Sequence, residues 1–462
     1  MVAVGFAVPV SEGSRLVVIQ GWTIVGLLNQ PSRIFSPARG QGSDRLTFAG
    51  LLVGAYVAIF LCQFDVCLLQ QELLRFPPAY LLLASLGFMA IAIRQLAPGQ
   101  ISRVFRECSG AIVAFALIAG LALVGSALPQ ANLADNYKYV LYPTVDFLVF
   151  LLAFPLASIF ASQSNWRATC GMALCALVVS ILIDARYPGT FSILNTRAAG
   201  FGVNPNIGAA MAALLLVGVL DWKRPNLSVM TCGWCLVAFI GVFLTLSRSG
   251  ILVLGIVGML YVRLCVRRNG AGTVVVLGGL VFCIGGYALI AADAAKRVLP
   301  MLEGSHSRTN SFFSGEFDSI DVLEDSRVFL AYDYLKMIEE RPILGWGTGL
   351  NYSTELGSHN MFLARWVENG LPGLGAYLLL IFMLYRIGRK FQSWECVAVA
   401  VFLTAESFFS HNLLEDKSLL LVMSISAGRA VLNAPQPIRL TNAVLGNSSH
   451  LYPRVARLAK AA

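Results

Sequence analysis

Apolar segments of membrane-spanning length recur along almost the whole chain. A bilayer core of about 30 Å needs roughly 20 apolar residues in a helix, and twelve runs come close to that length. They lie near residues 46–69, 78–94, 110–129, 139–162, 168–184, 204–221, 227–246, 249–266, 273–293, 360–386, 395–412 and 418–433. Because a helix satisfies its own backbone hydrogen bonds inside a bilayer, this pattern predicts an all-α polytopic membrane protein of about twelve transmembrane helices.

The overall composition supports the same class. Of the 462 residues, 57% are hydrophobic and 13% are charged, whereas a soluble domain carries about 25% charged residues. The net charge of +9 calls for no nucleic acid, because anionic lipid headgroups are sufficient partners for basic connectors.

Basic residues predict the orientation of the chain in the membrane. The N-terminal segment, alternate connectors and the C-terminal tail hold 21 of the 34 basic residues, and connectors rich in lysine and arginine stay in the cytoplasm. Both termini are therefore predicted to be cytoplasmic. The predicted divisions are a cytoplasmic or interfacial segment at 1–45, nine transmembrane helices at 46–293, a large, partly helical outer loop at 294–358, three transmembrane helices at 359–433 and a basic cytoplasmic tail at 434–462.

Several polar residues that are costly near a membrane fall together on the predicted outer face. They are Arg197, Arg248 in a short polar break between two apolar runs, Arg327, His359 and His411. Guanidinium groups hold phosphate oxygens through paired hydrogen bonds, and histidine can take a proton from an attacking hydroxyl near neutral pH. This set suits a reaction in which a diphosphate leaves and an alcohol attacks, as in sugar transfer from a polyprenyl diphosphate carrier.

The sequence contains no local signature of a metal or nucleotide site. It lacks a phosphate-binding loop with its lysine, a His-Glu-x-x-His pair and an Asp-x-Asp pair in the outer loop. We therefore expect no cofactor and a metal-independent reaction, with the arginines neutralising the diphosphate.

An ordered series of short motifs resembles the superfamily of O-antigen ligases and Wzy-type O-antigen polymerases. The motifs span about residues 196–374 and include Arg197 to Asn206, Leu246-Ser247-Arg248-Ser249-Gly250, Arg327, Arg341-Pro342 through Gly349, and His359-Asn360 followed by Glu368-Asn369-Gly370-Leu371-Pro372-Gly373. The resemblance implies a bacterial inner-membrane enzyme whose periplasmic loop closes over a lipid-linked diphosphate donor.

The resemblance also implies roles for individual residues. Arg248, Arg327 and Arg197 are the predicted diphosphate ligands, and His359 is the predicted base for the acceptor hydroxyl. Three further residues are predicted to bind the acceptor or to be structural: Glu368, Asn360 and Arg341. The implied partners are a polyprenyl-diphosphate-linked glycan as donor and either a lipid A core or a second lipid-linked glycan as acceptor.

Each candidate also has a structural explanation. Arg248 can extend to lipid headgroups, Arg327 can pair with a nearby carboxylate at its helix start, and His359 can cap the following helix. Arg341 precedes a proline, which favours the end of a helix there. Glu368 can contact Arg365 instead of an acceptor hydroxyl.

Three functions fit these observations. A ligase transfers an assembled glycan to a different acceptor, and a polymerase transfers it to the next lipid-linked repeat unit; the ligase is slightly favoured. A transporter of anions or lipid-linked sugars is the third, with Asp65, Asp146 and Glu406 as ionisable residues inside apolar runs. The two halves of the chain show no repeat that would support transport.

Overall fold

The computed structural model describes residues 47–96, 98–126, 136–193, 197–270, 327–350 and 357–434. The predicted N-terminal segment, the predicted span at 273–293, most of the predicted outer loop and the basic tail lie outside the described residues. The part that is described is all-helical, with no strand. Its α-helices are α1 Phe48–Leu61, α2 Phe64–Gln70, α3 Pro78–Leu96, α4 Pro98–Glu107, α5 Ser109–Ser126, α6 Asn136–Ala153, α7 Gln163–Arg186, α8 Pro205–Val219, α9 Val229–Leu244, α10 Arg248–Asn269, α11 Arg327–Glu340, α12 Met361–Lys390, α13 Trp394–Glu406 and α14 Lys417–Leu432.

Five helical segments among the described residues are long and apolar enough to cross a membrane. They are α5, residues 141–161, α7, residues 248–268 and α12. The bent pair α1 and α2, with a 49° angle between them, makes a sixth if it is counted as one span. The fold is therefore that of a polytopic helical membrane protein, and the total of twelve spans stays a prediction.

The short helices α13 and α14 form the centre of the bundle. Almost every residue of α14 is buried, and α14 packs against α6, α13 and the 3₁₀ segment Phe154–Ala161. Helices enclosed by protein need not match the bilayer thickness, so 13 and 16 residues are sufficient here.

One predicted boundary was wrong. The apolar run at 395–412 predicted a continuous helix, whereas α13 ends at Glu406. Residues 407–416 form a polar connector instead, and the Ser407 carbonyl accepts a hydrogen bond from Met361 N, 2.8 Å away. Phe408 and Phe409 extend the apolar pattern into this connector, which explains why periodicity alone misplaced the helix end.

Helix α12 is broken at Gly370, where the segment 342–349 docks onto it. Pro372 has no N–H to donate to the carbonyl of Glu368, and Gly347 N supplies that hydrogen bond at 2.9 Å. Trp346 N bonds the Val367 carbonyl at 2.8 Å. The motif Arg341 to Gly349 thus donates backbone hydrogen bonds to α12 at the start of the motif Glu368 to Gly373. These bonds satisfy the carbonyls that the break leaves without partners inside the helix.

Gly370→Ala should destabilise the protein strongly. Gly370 has φ of +64°, and a Cβ there would lie 1.9 Å from the Ile343 carbonyl oxygen. Because both the backbone conformation and the space exclude a side chain, we expect a loss of roughly 3 kcal/mol. Thermal unfolding in detergent measures this. Gly375→Ala is the matched control, because Gly375 lies in the same helix with open space around it; an equal fall in both variants would contradict the docking account.

Candidate functional site

A polar pocket of about 280 Å³ lies at the end of the bundle where α8, α12 and α14 begin and α13 ends. Its wall combines segments that are far apart in sequence. The polar residues that line it are Gln63, Asn204, Asn206, His359, Glu406, Ser410, His411, Asn412, Glu415, Asp416 and Lys417. The described structure thus brings His359 to one cavity with the Asn204-Pro205-Asn206 motif.

Arg197 reaches the pocket wall through Asn206. Its Nη2 donates to Asn206 Oδ1 at 3.1 Å, and its Nε donates to the Thr245 carbonyl at 3.1 Å. Ser247 Oγ donates to the same Asn206 oxygen at 3.0 Å. The motifs around residues 197–206 and 245–250 therefore form one hydrogen-bonded unit beside the pocket.

Asp184 fixes the loop that carries Arg197, and sequence reasoning missed it. This fully buried carboxylate at the end of α7 accepts hydrogen bonds from Phe191 N, Ser192 N, Ala199 N and Gly200 N, at 2.8 to 3.3 Å. Four backbone donors are a strong set of partners for one buried carboxylate. The sequence feature that could have identified Asp184 is its position as an isolated carboxylate at the end of the apolar run 168–184.

Asp184→Ala should loosen this loop. Removing the carboxylate leaves four N–H groups without their acceptor, so we expect a loss of roughly 3 kcal/mol together with weaker donor binding. Thermal unfolding and donor-binding measurements on the purified variant test this. Asp333→Ala, at an exposed position on α11, serves as the control, and an unchanged unfolding midpoint in Asp184→Ala would contradict the assigned role.

His359 precedes α12 in a left-handed backbone conformation, with φ of +47°. The cap of α12 comes from Asn360, whose Oδ1 accepts from Phe362 N at 2.9 Å and Leu363 N at 3.1 Å. The His359 ring contacts the His411 ring edge to face, with centroids 5.4 Å apart. Asn360 therefore does the capping, and the half-buried imidazole of His359 lies on the pocket wall.

The connector between α13 and α14 supplies functional candidates that sequence reasoning missed. Lys417 is buried at the first position of α14 and pairs with buried Asp65, 3.6 Å away. A cation is unfavourable at a helix N-terminus. The Lys417 ammonium is therefore stabilised by Asp65 and by the polar groups of the pocket that it lines. Gln63 Nε2, at the break between α1 and α2, donates to both oxygens of Asp416, at 2.9 and 3.0 Å.

Three groups of this connector have shifted pKa values, of which Asp416 has its pKa raised by burial. Burial, together with the neighbouring His359 and Arg365, lowers the pKa of His411 to about 4. The pKa of Glu415 is raised to about 8, because burial and nearby Asp146 raise it more than Lys417 lowers it. At neutral pH His411 is uncharged and Glu415 is mostly protonated, so both present hydrogen-bonding groups to the pocket.

A much smaller cavity adjoins the first. Its volume of about 20 Å³ has room for about one water molecule. Arg365 and Glu368 line it, 3.5 Å apart as a buried ion pair, and Arg365 Nε has no hydrogen-bond partner among the described residues. His411 and Glu415 line both cavities. Glu368 also accepts from Gly349 N at 3.2 Å, so it contacts Arg365 and the docked loop and does not line the larger pocket.

Two of the other predicted site residues, Arg248 and Arg341, are not part of the pocket lining. Arg248 is the first residue of α10, next to Ser247, and its side chain is exposed. Arg341 follows the end of α11 and stacks over Trp346, 4.3 Å from the ring centroid, as expected of a residue at a helix end. Arg327 is the first residue of α11, and its side chain lies outside the described residues.

The described residues hold no group of three histidine, cysteine or acidic side chains that could bind a metal ion. The metal-independent reaction stays a prediction. Among the described residues, Lys417 lines the pocket, Arg197 reaches its wall through Asn206, and Arg365 lines the adjoining small cavity.

Fold and pocket together define a multi-pass helical membrane protein with a polar site at one end of its bundle. A sequence model of the O-antigen ligase family matches residues 233–378, about a third of the chain, and confirms the resemblance to the ligase and polymerase superfamily. The matched segment covers α10, α11 and His359 but ends before the connector 407–416. No curated protein sequence gives a match.

Proposed function

We propose that this protein transfers a glycan from a polyprenyl diphosphate carrier, such as undecaprenyl diphosphate, to an acceptor hydroxyl at the periplasmic face of the bacterial inner membrane. The observation that carries the proposal is the convergence on one pocket of His359 and of the hydrogen-bonded unit of Arg197, Asn206 and Ser247. These are elements from three separate motifs of the family resemblance.

The proposed reaction is a displacement at the anomeric carbon of the donor sugar. The acceptor oxygen forms the new glycosidic bond, the bond to the diphosphate breaks, and its electron pair leaves with the polyprenyl diphosphate. His359 takes the proton of the acceptor hydroxyl, while Arg248, Arg327 and Arg197 offset the charge on the diphosphate.

The polar lining of the pocket is suited to binding the sugar itself. Asn204, Glu406, Asn412 and Asp416 offer amide and carboxylate groups to the pocket, and such groups hydrogen-bond readily to sugar hydroxyls. In the proposal the glycan occupies the pocket and the diphosphate lies at its margin, on the side of Arg197 and Arg248.

Transfer by the purified protein tests the proposal. The donor is a polyprenyl-diphosphate oligosaccharide, offered alone and with a lipid A core-like acceptor, and the products are resolved by size. One discrete adduct on the acceptor identifies a ligase, and a ladder from donor alone identifies a polymerase. Donor binding without any transfer would contradict the proposed transferase activity and favour a transporter.

We expect EDTA to leave transfer nearly unchanged. In the proposed reaction guanidinium groups offset the charge that a divalent cation would otherwise neutralise. The measurement compares initial rates with and without chelator in metal-free buffer. Strong inhibition that a divalent cation reverses would contradict the arginine-based scheme.

A further inference from the structure

A second polar pocket, of about 180 Å³, lies at the opposite end of the bundle, where α8, α12 and α14 end and α13 begins. It takes no part in the proposed reaction. Its lining consists of Gln163, Trp222, Lys223, Phe391, Gln392, Ser393, Trp394, Glu395, Arg429, Ala430 and Asn433. The predicted orientation places this end in the cytoplasmic headgroup region.

Arg429 is a buried cation on the pocket wall, with 2% of its surface exposed. Its Nη1 lies 3.3 Å from Glu395 Oε1, and its Nη2 donates to Gln163 Oε1. Its Nε is buried and has no hydrogen-bond partner among the described residues. A buried guanidinium N–H without an acceptor lowers the stability of the fold, unless a bound group supplies the acceptor.

Two further features make the pocket attractive to an anion. Helices α7 and α13 both begin there, at Gln163 and Trp394, and helix N-termini carry a partial positive charge of about half a unit each. Lys223 adds a full positive charge at the rim. Glu395 offsets one of the two full charges, so the charged side chains of the lining sum to a net charge of about +1. The partial charges at the N-termini of α7 and α13 are opposed by those at the C-terminal ends of α8, α12 and α14.

The aromatic part of the lining suits a membrane lipid. Trp222, Phe391 and Trp394 lie beside the charged groups, and aromatic rings combined with basic residues between helix ends are typical of headgroup sites on the cytoplasmic side. We propose that this pocket binds the phosphate group of an anionic membrane lipid, with Arg429 and Lys223 as its cationic ligands. The proposal is independent of the catalytic account.

Native mass spectrometry of the full-length protein in detergent tests this site. Phosphatidylglycerol, phosphatidylcholine and inorganic phosphate are titrated separately. We expect one phosphatidylglycerol to bind per chain, more tightly than the other two probes. Lys223→Glu should weaken this binding about tenfold or more. Arg224→Glu is the matched control, because Arg224 is the exposed neighbour on the same connector and does not line the pocket.

A double variant tests the buried ligand. Arg429→Met with Glu395→Gln removes both charges together and so leaves no unpaired buried charge. It should lose the bound lipid at least as completely as Lys223→Glu; if it fails to fold, the exposed Lys223→Glu change still decides. Equal weakening by Lys223→Glu and Arg224→Glu would overturn the site, and so would equal binding of phosphatidylcholine. Equally tight binding of inorganic phosphate would overturn the assignment to a lipid.

Discussion

His359→Ala is expected to stop glycan transfer and leave donor binding nearly intact. The imidazole lies on the wall of the larger pocket, and Asn360, not His359, provides the cap of α12. Replacing the ring therefore leaves the start of the helix in place and removes the group proposed to accept the proton. General-base catalysis contributes about 10²- to 10⁴-fold to a rate, so turnover should fall by that range.

Two measurements on His359→Ala separate chemistry from recognition. Single-turnover transfer reports the chemical step, and equilibrium binding of the lipid-linked donor reports recognition. His450→Ala, in the predicted cytoplasmic tail, serves as the control. Weakened donor binding with an unchanged single-turnover rate at saturating donor would assign His359 to recognition and contradict its role as base.

Arg248→Ala and Arg327→Ala are each expected to abolish transfer at normal expression. Loss of one preorganised donor to a developing charge typically costs about 10²- to 10³-fold in rate. Arg→Lys should restore activity in part, because an ammonium keeps the charge and loses the paired geometry of the guanidinium. Arg197→Ala should in addition loosen its own loop, since Arg197 also bonds the Thr245 carbonyl and Asn206.

Initial transfer rates and donor affinities of these variants are compared with those of Arg268→Ala. Arg268 is exposed at the opposite end of α10 from Arg248, so its loss controls for a general change in surface charge. Wild-type activity in Arg248→Ala or Arg327→Ala would remove that residue from the proposed site. An equal loss in Arg268→Ala would show that total charge, and not position, determines activity.

Apolar periodicity predicted the helices of the described region well. The run at 204–221 corresponds to Pro205–Val219, and the run at 227–246 corresponds to Val229–Leu244. It failed at residues 407–412, where aromatic residues extend the pattern although the backbone turns. Apolar periodicity also did not predict the break at Gly370. The carbonyls freed there accept hydrogen bonds from Trp346 N and Gly347 N, in a segment that precedes α12. An apolar pattern carries no information on such backbone contacts between distant segments.

The candidate site was predicted in part. Asn204, Asn206 and His359 do line one pocket, as expected from their predicted placement on one face of the membrane. Lys417 and Asp65 were not predicted as partners, because they are more than 350 positions apart in the chain and meet through the bend between α1 and α2. Asp184 was missed for a related reason. Its four hydrogen-bond donors are backbone N–H groups, which cannot be recognised from the residue types in the sequence.

The central claim is that the lipid-linked glycan binds in the pocket that His359 lines, and photo-crosslinking tests it most directly. A photoreactive residue replaces Asn412 in that pocket or, as the matched control, Asn433 in the pocket at the opposite end. Each transfer-competent protein is then irradiated with labelled polyprenyl-diphosphate oligosaccharide. The account predicts a labelled adduct from position 412, reduced by excess unlabelled donor, and none from position 433. Labelling from position 433 alone, in protein that still transfers glycan, would contradict it.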